Sequence, residues 1–299
     1  MQYKKIYFLI SAIVIIPGII SLVAWGLRPS IDFVGGTVWE LQLPTETDNT
    51  DDMTSEIVTV VESNGVEVFD QNRNDANVLQ LKLSSISSET KNAIQTQFNE
   101  NEQISINEVR FEMVGATLGR ELMVKTLTGV LLATLGILTY VAWRFKDRMY
   151  GVCAILAMFH DTFIVIGVFS LLGHFYNIEV DALFVTAVLT ILSFSVHDTI
   201  VVYDRIRESI RKYPKLDFVS LINKAVSETL VRSLNNSLTI IFMLSALLLL
   251  GGESIRWFIF ALLIGTISGT YSSTFTAAPL LALWHERLSS KTTVSSKRA

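Results

Sequence analysis

Six long apolar runs decide what this chain can fold into: residues 6–27, 122–143, 150–172, 182–203, about 237–250 and 255–284. Hydrocarbon holds no water to satisfy a peptide group, so a crossing segment closes its own hydrogen bonds, as an α-helix does. About 20 apolar residues suffice to cross. Half of the chain is hydrophobic (50%), and the apolar residues come in blocks, unlike those of a soluble domain. The expectation is an all-α polytopic membrane protein of six transmembrane helices. The net charge of -4 constrains less than the way charges are distributed. Cys153, the 1 cysteine, lies inside an apolar run, so an intrachain disulfide is excluded. There is no zinc-type ligand spacing, P-loop or G-x-G-x-x-G, and no metal, cofactor or nucleic-acid partner is expected. The first run is longer than the about 7–15 residues of a signal-peptide core, and no Ala-x-Ala follows it. That favours a retained helix over a cleaved leader.

Residues 28–121 are polar and soluble in character. Gly35-Gly36 breaks the chain, and 37–43 (TVWELQL) alternates as a strand does. Residues 51–63 read as an amphipathic helix with Met53, Ile57, Val60 and Val61 on one side. Short strands are expected at 66–69 and 77–83, a helix over 88–99 capped by Ser87 or Ser88, and a last strand at 104–113. The order β-α-β-β-α-β predicts an α+β, ferredoxin-like domain.

Six crossings put both ends of the chain on one side. Lys4 and Lys5, the basic turn Arg144/Lys146/Arg148, the basic stretch 204–232 and the tail 286–299 share that side. The stretch 174–181 has no Lys or Arg and falls opposite with the Gly251-Gly252-Glu253 turn. By the positive-inside rule both termini are cytoplasmic and the 28–121 domain is extracytoplasmic. The expected division is helix 1 at 1–27, helices 2–4 at 122–203, a cytoplasmic loop at 204–232 and helices 5–6 at 233–285. That loop should hold an interfacial helix from about Phe218, capped by Asp217 and burying Leu221, Ile222, Ala225, Val226 and Thr229.

The fourth run contains His197 and Asp198. An ionisable group at such depth costs about 2.5–3.5 kcal/mol on insertion scales, so something must compensate for it. Asp198 lies six residues before Asp204, roughly 9 Å below the cytoplasmic interface at 1.5 Å per residue. Ser195 is at i−3 and shares its side, and Thr199 adjoins it. Thr186, Thr190, Ser193 and His197 form a polar stripe on a neighbouring sector, which should face protein or water. Asp198 reads as a proton-carrying carboxylate, or else as a static polar contact that fixes packing. Arg232, just before the fifth run, is a candidate counter-charge. Topology alone favours an ordinary arginine that snorkels to lipid phosphate. His160-Asp161 is a second titratable pair, in the third run. Each histidine could relay protons or be a neutral, hydrogen-bonded residue of the core. Gly265, Gly269 and Ser273 recur every four residues and predict close helix packing. Asn235 and Asn236 could bond across helices.

Several of these stretches resemble the SecF family, the smaller partner of the SecD/SecF pair within the RND superfamily. Ile31-Asp32-Phe33-Val34-Gly35-Gly36-Thr37 resembles its D-F-x-G-G-T. Val114-Gly115-Ala116-Thr117-Leu118-Gly119-Arg120-Glu121-Leu122 resembles its V-G-P-x-x-G-x-E-L. The run from Ser195 through His197-Asp198-Thr199 to Glu208 is similar to its fourth-helix signature, and Gly251 to Ser254 and Gly265 to Pro279 to its turn and sixth helix. The resemblance covers nearly the whole chain. It implies a role in secretion: with a SecD-like subunit, beside the SecYEG translocon, the proton gradient drives late movement of preproteins. It implies that Asp198 and Arg232 conduct protons; His197, grouped with them from the sequence itself, adds a titratable group beside Asp198. Three positions depart from the pattern: Ala116 replaces proline, Ser193 stands where glycine is common, and His197 where asparagine is common.

The expectation is therefore an accessory translocase subunit of the bacterial inner membrane, in contact with lipid. It is not expected to be an enzyme, since no nucleophile constellation is present. Two alternatives remain: a half-size RND-type exporter of lipid or small molecules, and a passive assembly subunit of the translocon.

Overall fold

The computed structural model describes residues 1, 3–44, 50–73, 77–100, 106–145 and 147–296. Lys146 of the basic turn and the first two residues of the 104–113 strand lie outside them. The chain divides into two compact units, Pro29–Leu127 and the pair Met1–Arg28 with Thr128–Ala299.

The first unit begins with a single helical turn, α2 (Ile31–Val34), after the membrane helix α1 (Lys4–Ala24). Then come β1 (Gly36–Gln42), α3 (Thr50–Ser63), β2 (Val68–Arg73), β3 (Val78–Leu83), α4 (Ser88–Glu100) and β4 (Asn107–Val114). The sheet order is β2-β3-β1-β4, with every neighbouring pair antiparallel. β3 inserted between β1 and β2 is the split βαβ arrangement. Alternation sends Trp39 and Leu41 from β1, and Leu79, Leu81 and Leu83 from β3, into one core. Leu43, just past β1, joins them. Met53, Ile57 and Val61 of α3 and Ile94 and Phe98 of α4 cover that face. Trp39 is fully buried, with the Phe111 ring edge-on at 5.6 Å. β2 lies later than the expected 66–69. Val66 drops into the core ahead of it, while the strand is a polar edge, Asp70 to Arg73, that carries no apolar alternation.

The two glycine motifs meet inside this unit. Gly35 has φ +80, and a Cβ there would stand 2.6 Å from the Ala116 Cα. A Cβ on Gly119 would stand 2.8 Å from the Gly35 nitrogen. Backbone packs on backbone, and only glycine leaves room. Ala116 is the first residue of α5 (Ala116–Arg144), the helical position best suited to the proline it replaces.

The second unit contains α1, most of α5, α6 (Arg148–Tyr176), α7 (Ala182–Lys212), α8 (Phe218–Leu250), α9 (Glu253–Ser272), a π turn (Ser273–Ala277) and α10 (Ala278–Ser296). Among the described residues, six helical stretches are long and apolar enough to cross a membrane. α7 packs against α6, α8 and α9, and α1 lies along α6. At the α1–α6 crossing a Cβ on Gly167 would stand 2.6 Å from the Gly18 Cα. One turn on, Ser21 and Ser170 share a 2.7 Å hydrogen bond, the small-residue packing that lets membrane helices approach.

Residues 204–232 do not form a loop with a separate interfacial helix. α7 runs on to Lys212, and after a short turn α8 continues unbroken from Phe218 to Leu250. Nothing between 218 and 250 is Gly or Pro, and ion pairs of Glu228 with Arg205 (2.5 Å) and Lys224 (3.4 Å) brace the polar part. Asp217 does cap α8, accepting the Ser220 N–H at 2.9 Å. The Ser220 hydroxyl and backbone hold that carboxyl below the usual range. The last helix also outlasts its apolar run: it continues through the π turn into α10, so helix extends to Ser296 where a tail was expected from 286.

Candidate functional site

Asp198 sits on the buried side of α7 with 6% of its surface exposed. Its Oδ2 accepts the Ser233 hydroxyl of α8 at 3.0 Å, the one hydrogen bond to this carboxylate among the described residues. Thr199 and Ser237 are buried, and their hydroxyls have no protein partner there. Arg232 is exposed and makes no ion pair or hydrogen bond among the described residues. The structure thus sets Ser233, not Arg232, against Asp198. His197 is exposed on the outward side of α7. Thr186, Thr190 and Ser193 are exposed with it, so the whole polar stripe faces away from this chain's own bundle.

Ser195 does not serve Asp198. Its hydroxyl donates to Asp161 Oδ2 at 2.6 Å. Asp161, on α6, has no exposed surface. It also accepts Ser272 on Oδ2 at 2.5 Å, and Ser268 on Oδ1 at 2.6 Å. His160 Nδ1 stands 2.9 Å from Oδ1 and must be the donor there. Four donors fill the roughly four lone-pair sites of an ionised carboxylate. His160 Nε2 reaches the Ser11 hydroxyl of α1 at 2.9 Å, and Ser11 lies 3.4 Å from the Thr276 hydroxyl in the π turn. Serine, histidine and aspartate stand here in the order of a hydrolytic triad. Ser11 lies inside α1, whose backbone N–H groups are engaged in the helix.

The small residues of α9 and the π turn behave differently from one another. A Cβ on Gly265 would fall 2.3 Å from Ile191 side-chain atoms, whereas on Gly269 it would meet Phe194 at 3.4 Å and Asp161 Oδ2 at 3.7 Å. Ser273 is buried and its hydroxyl donates to the Thr270 carbonyl oxygen at 3.2 Å. Ser11, Ser233, Ser268, Ser272, Gly18 and Gly167 were not marked by the sequence. Ser268, Ser272 and Thr276 do recur every four residues, a readable polar row on an apolar helix. Ser11 carried no such signal.

The family described as "Protein export membrane protein SecD/SecF, C-terminal" matches residues 93–287. A protein translocase subunit SecF of Thermobaculum terrenum is 41% identical, over 96% of this chain and 93% of that protein. The chain belongs to the SecF family. Another SecF, from Anaerolinea thermophila, is 38% identical over 94% of this chain and 92% of its own. Among solved structures, the SecDF of Thermus thermophilus, described as a translocon-associated membrane protein, superimposes with a TM-score of 0.79 at 31% identity. The match covers 96% of this chain and 39% of that longer one. A SecF-family chain with six apolar helices is a multi-pass membrane protein.

Proposed function

We propose that this chain is an accessory subunit of the Sec translocase that works with a SecD-like subunit to couple the proton gradient to late steps of preprotein translocation. Its SecF relatives are named translocase subunits, and the similar SecDF chain is more than twice as long, leaving room for a second, SecD-like half. The outward His197 of α7 supports such a neighbour, because an ionisable side chain in a membrane faces protein or water. The charge pattern supports cytoplasmic termini in the bacterial inner membrane, with the 28–121 domain outside, where it would meet emerging polypeptide.

One observation carries the proton reading: Asp198 is buried in an apolar span and accepts one hydrogen bond among the described residues. A carboxylate so lightly held can gain and lose a proton without dismantling a network. Each proton crossing 100 mV releases about 2.3 kcal/mol. Arg232 starts one residue from Ser233, and we assign it the counter-charge in another state of the cycle, with His197 as an accessory titratable group. Substituting Asp198→Asn keeps the shape and removes the charge. Co-purification with the SecD-like subunit should persist, while gradient-dependent secretion of a preprotein is lost. Unchanged secretion with intact assembly would replace the motor with the passive scaffold.

A further inference from the structure

We infer that His160 and Asp161 form a second proton-binding site in this chain, in which His160 Nε2 takes up the proton. The geometry stands by itself; only its purpose rests on the reading of the chain as a proton-driven subunit.

Asp161 is already saturated. A proton on either of its oxygens would meet a hydroxyl or imidazole donor and break a bond of 2.5–2.9 Å. The cage is therefore built for the anion, and a buried, uncompensated anion is costly. His160 can relieve that cost without losing a contact. In its neutral form Nδ1–H donates to Asp161, and Nε2 accepts the Ser11 hydroxyl. When a proton joins Nε2, Nε2–H donates to the Ser11 oxygen. Ser11 then turns its own hydrogen toward the Thr276 oxygen. Thr276 gives up its bond to Ser11 and turns its hydroxyl to a helical carbonyl, as threonines in helices do. No covalent bond other than N–H forms, and the net charge of the pair goes from −1 to 0.

The surroundings fit a proton station. From α7 the buried carboxyl group is Asp198, one helical turn from Ser195. From α9, Tyr271 adjoins Ser11 and donates to the Tyr7 carbonyl oxygen at 2.8 Å. From α1, Tyr7 packs its ring against Phe275. The π turn, Ser-Thr-Phe-Thr-Ala, brings no titratable group. On α10, His285 stacks on Phe218 and Glu286 is paired with Lys4. On α6 itself the other buried titratable groups, Tyr150 and Cys153, adjoin Tyr203 of α7. Ser195 serves Asp161 from α7 and Asp198 follows it by three residues, so one helical turn links the two stations.

The protein has 4 histidines, which makes the test direct. The full chain, labelled with ¹⁵N-histidine and reconstituted in lipid vesicles, is observed by solid-state NMR between about pH 5 and pH 9, the range in which imidazoles titrate. A variant carrying His174→Gln, His197→Gln and His285→Gln leaves the cluster intact, with His160 as its sole imidazole. Its spectrum should pass from the Nδ1–H neutral tautomer to the doubly protonated ring as pH falls, and Asp161→Asn should move that transition by at least tenfold in proton concentration. A His160 that stays in one form across the range overturns the proposal, as does a transition indifferent to Asp161→Asn. The outcome is separable from the motor reading. If His160 titrates but Asp198→Asn secretes normally, the site stands and the motor falls; the opposite pair of results removes the site and keeps the motor.

Discussion

At the scale of single residues, the two glycines of α9 make opposite predictions although they look alike in sequence. Gly265→Ala drives a methyl into Ile191 and should cost about 1–3 kcal/mol of stability, read as a lower midpoint of thermal unfolding in detergent. Combined with Ile191→Ala, the loss should be smaller than the sum of the two single losses, because the added methyl then has room. Gly269→Ala makes ordinary contact with Phe194 and should leave the midpoint nearly unchanged. Around Asp161 the donors are charge-assisted, so Ser272→Ala should cost about 1.5–3 kcal/mol in the same assay. An equal midpoint would show that another donor takes its place. The sequence made Asp198 and Asp161 visible because any carboxylate in an apolar run stands out. It could not show that Ser195 serves the second and not the first: helical spacing places a residue on a face, and only the neighbouring helix decides what that face meets. Ser11 and His160 are 149 positions apart, and no periodicity relates them.

At the scale of elements, the α1–α6 crossing is the tightest test of assembly. Cysteines at Ser21 and Ser170, in a Cys153→Ala background, should form a disulfide, since the native hydroxyls are 2.7 Å apart. Adding Gly167→Val should abolish the cross-link by wedging α1 away. A cross-link that persists would mean the helices hold together without the glycine contact. The start of α8 gives a pH prediction. The carboxyl of Asp217 is depressed in the folded state, so its contribution is present above the unfolded carboxyl's pKa and fades as pH falls through the folded one. The extra amide-exchange protection that Asp217 gives the first turn of α8, relative to Asp217→Ala, should therefore be present at neutral pH and vanish in acid. Most elements were legible because composition and alternation announce them. The continuity of α8 was missed because hydropathy falls between Lys224 and Arg232, although nothing there breaks a helix. Hydropathy reports the solvent around a helix; Gly, Pro and caps report its ends.

At the scale of the whole molecule, the Pro29–Leu127 unit has a core of its own, and a fragment spanning 29–115 should fold in water. Trp39 is its sole tryptophan and is fully buried, so cooperative denaturation should shift its emission to the red, with a stability of roughly 5 kcal/mol. A gradual, non-cooperative change would mean the unit depends on the membrane helices. Orientation is open to labelling. Gly252→Cys should react with an impermeant maleimide in intact cells, and Pro214→Cys only after permeabilisation; the reverse would invert the topology. The glycine contacts also bear on how such a chain can drift over generations. Beside Gly265 the obstacle is a side chain, so a shorter residue at 191 opens a path by which 265 can later change. At the α1–α6 crossing each glycine confronts only main chain, which no mutation can shorten. A change at position 18 cannot be repaired at 167, and lineages should carry the two glycines together or repack both helices at once.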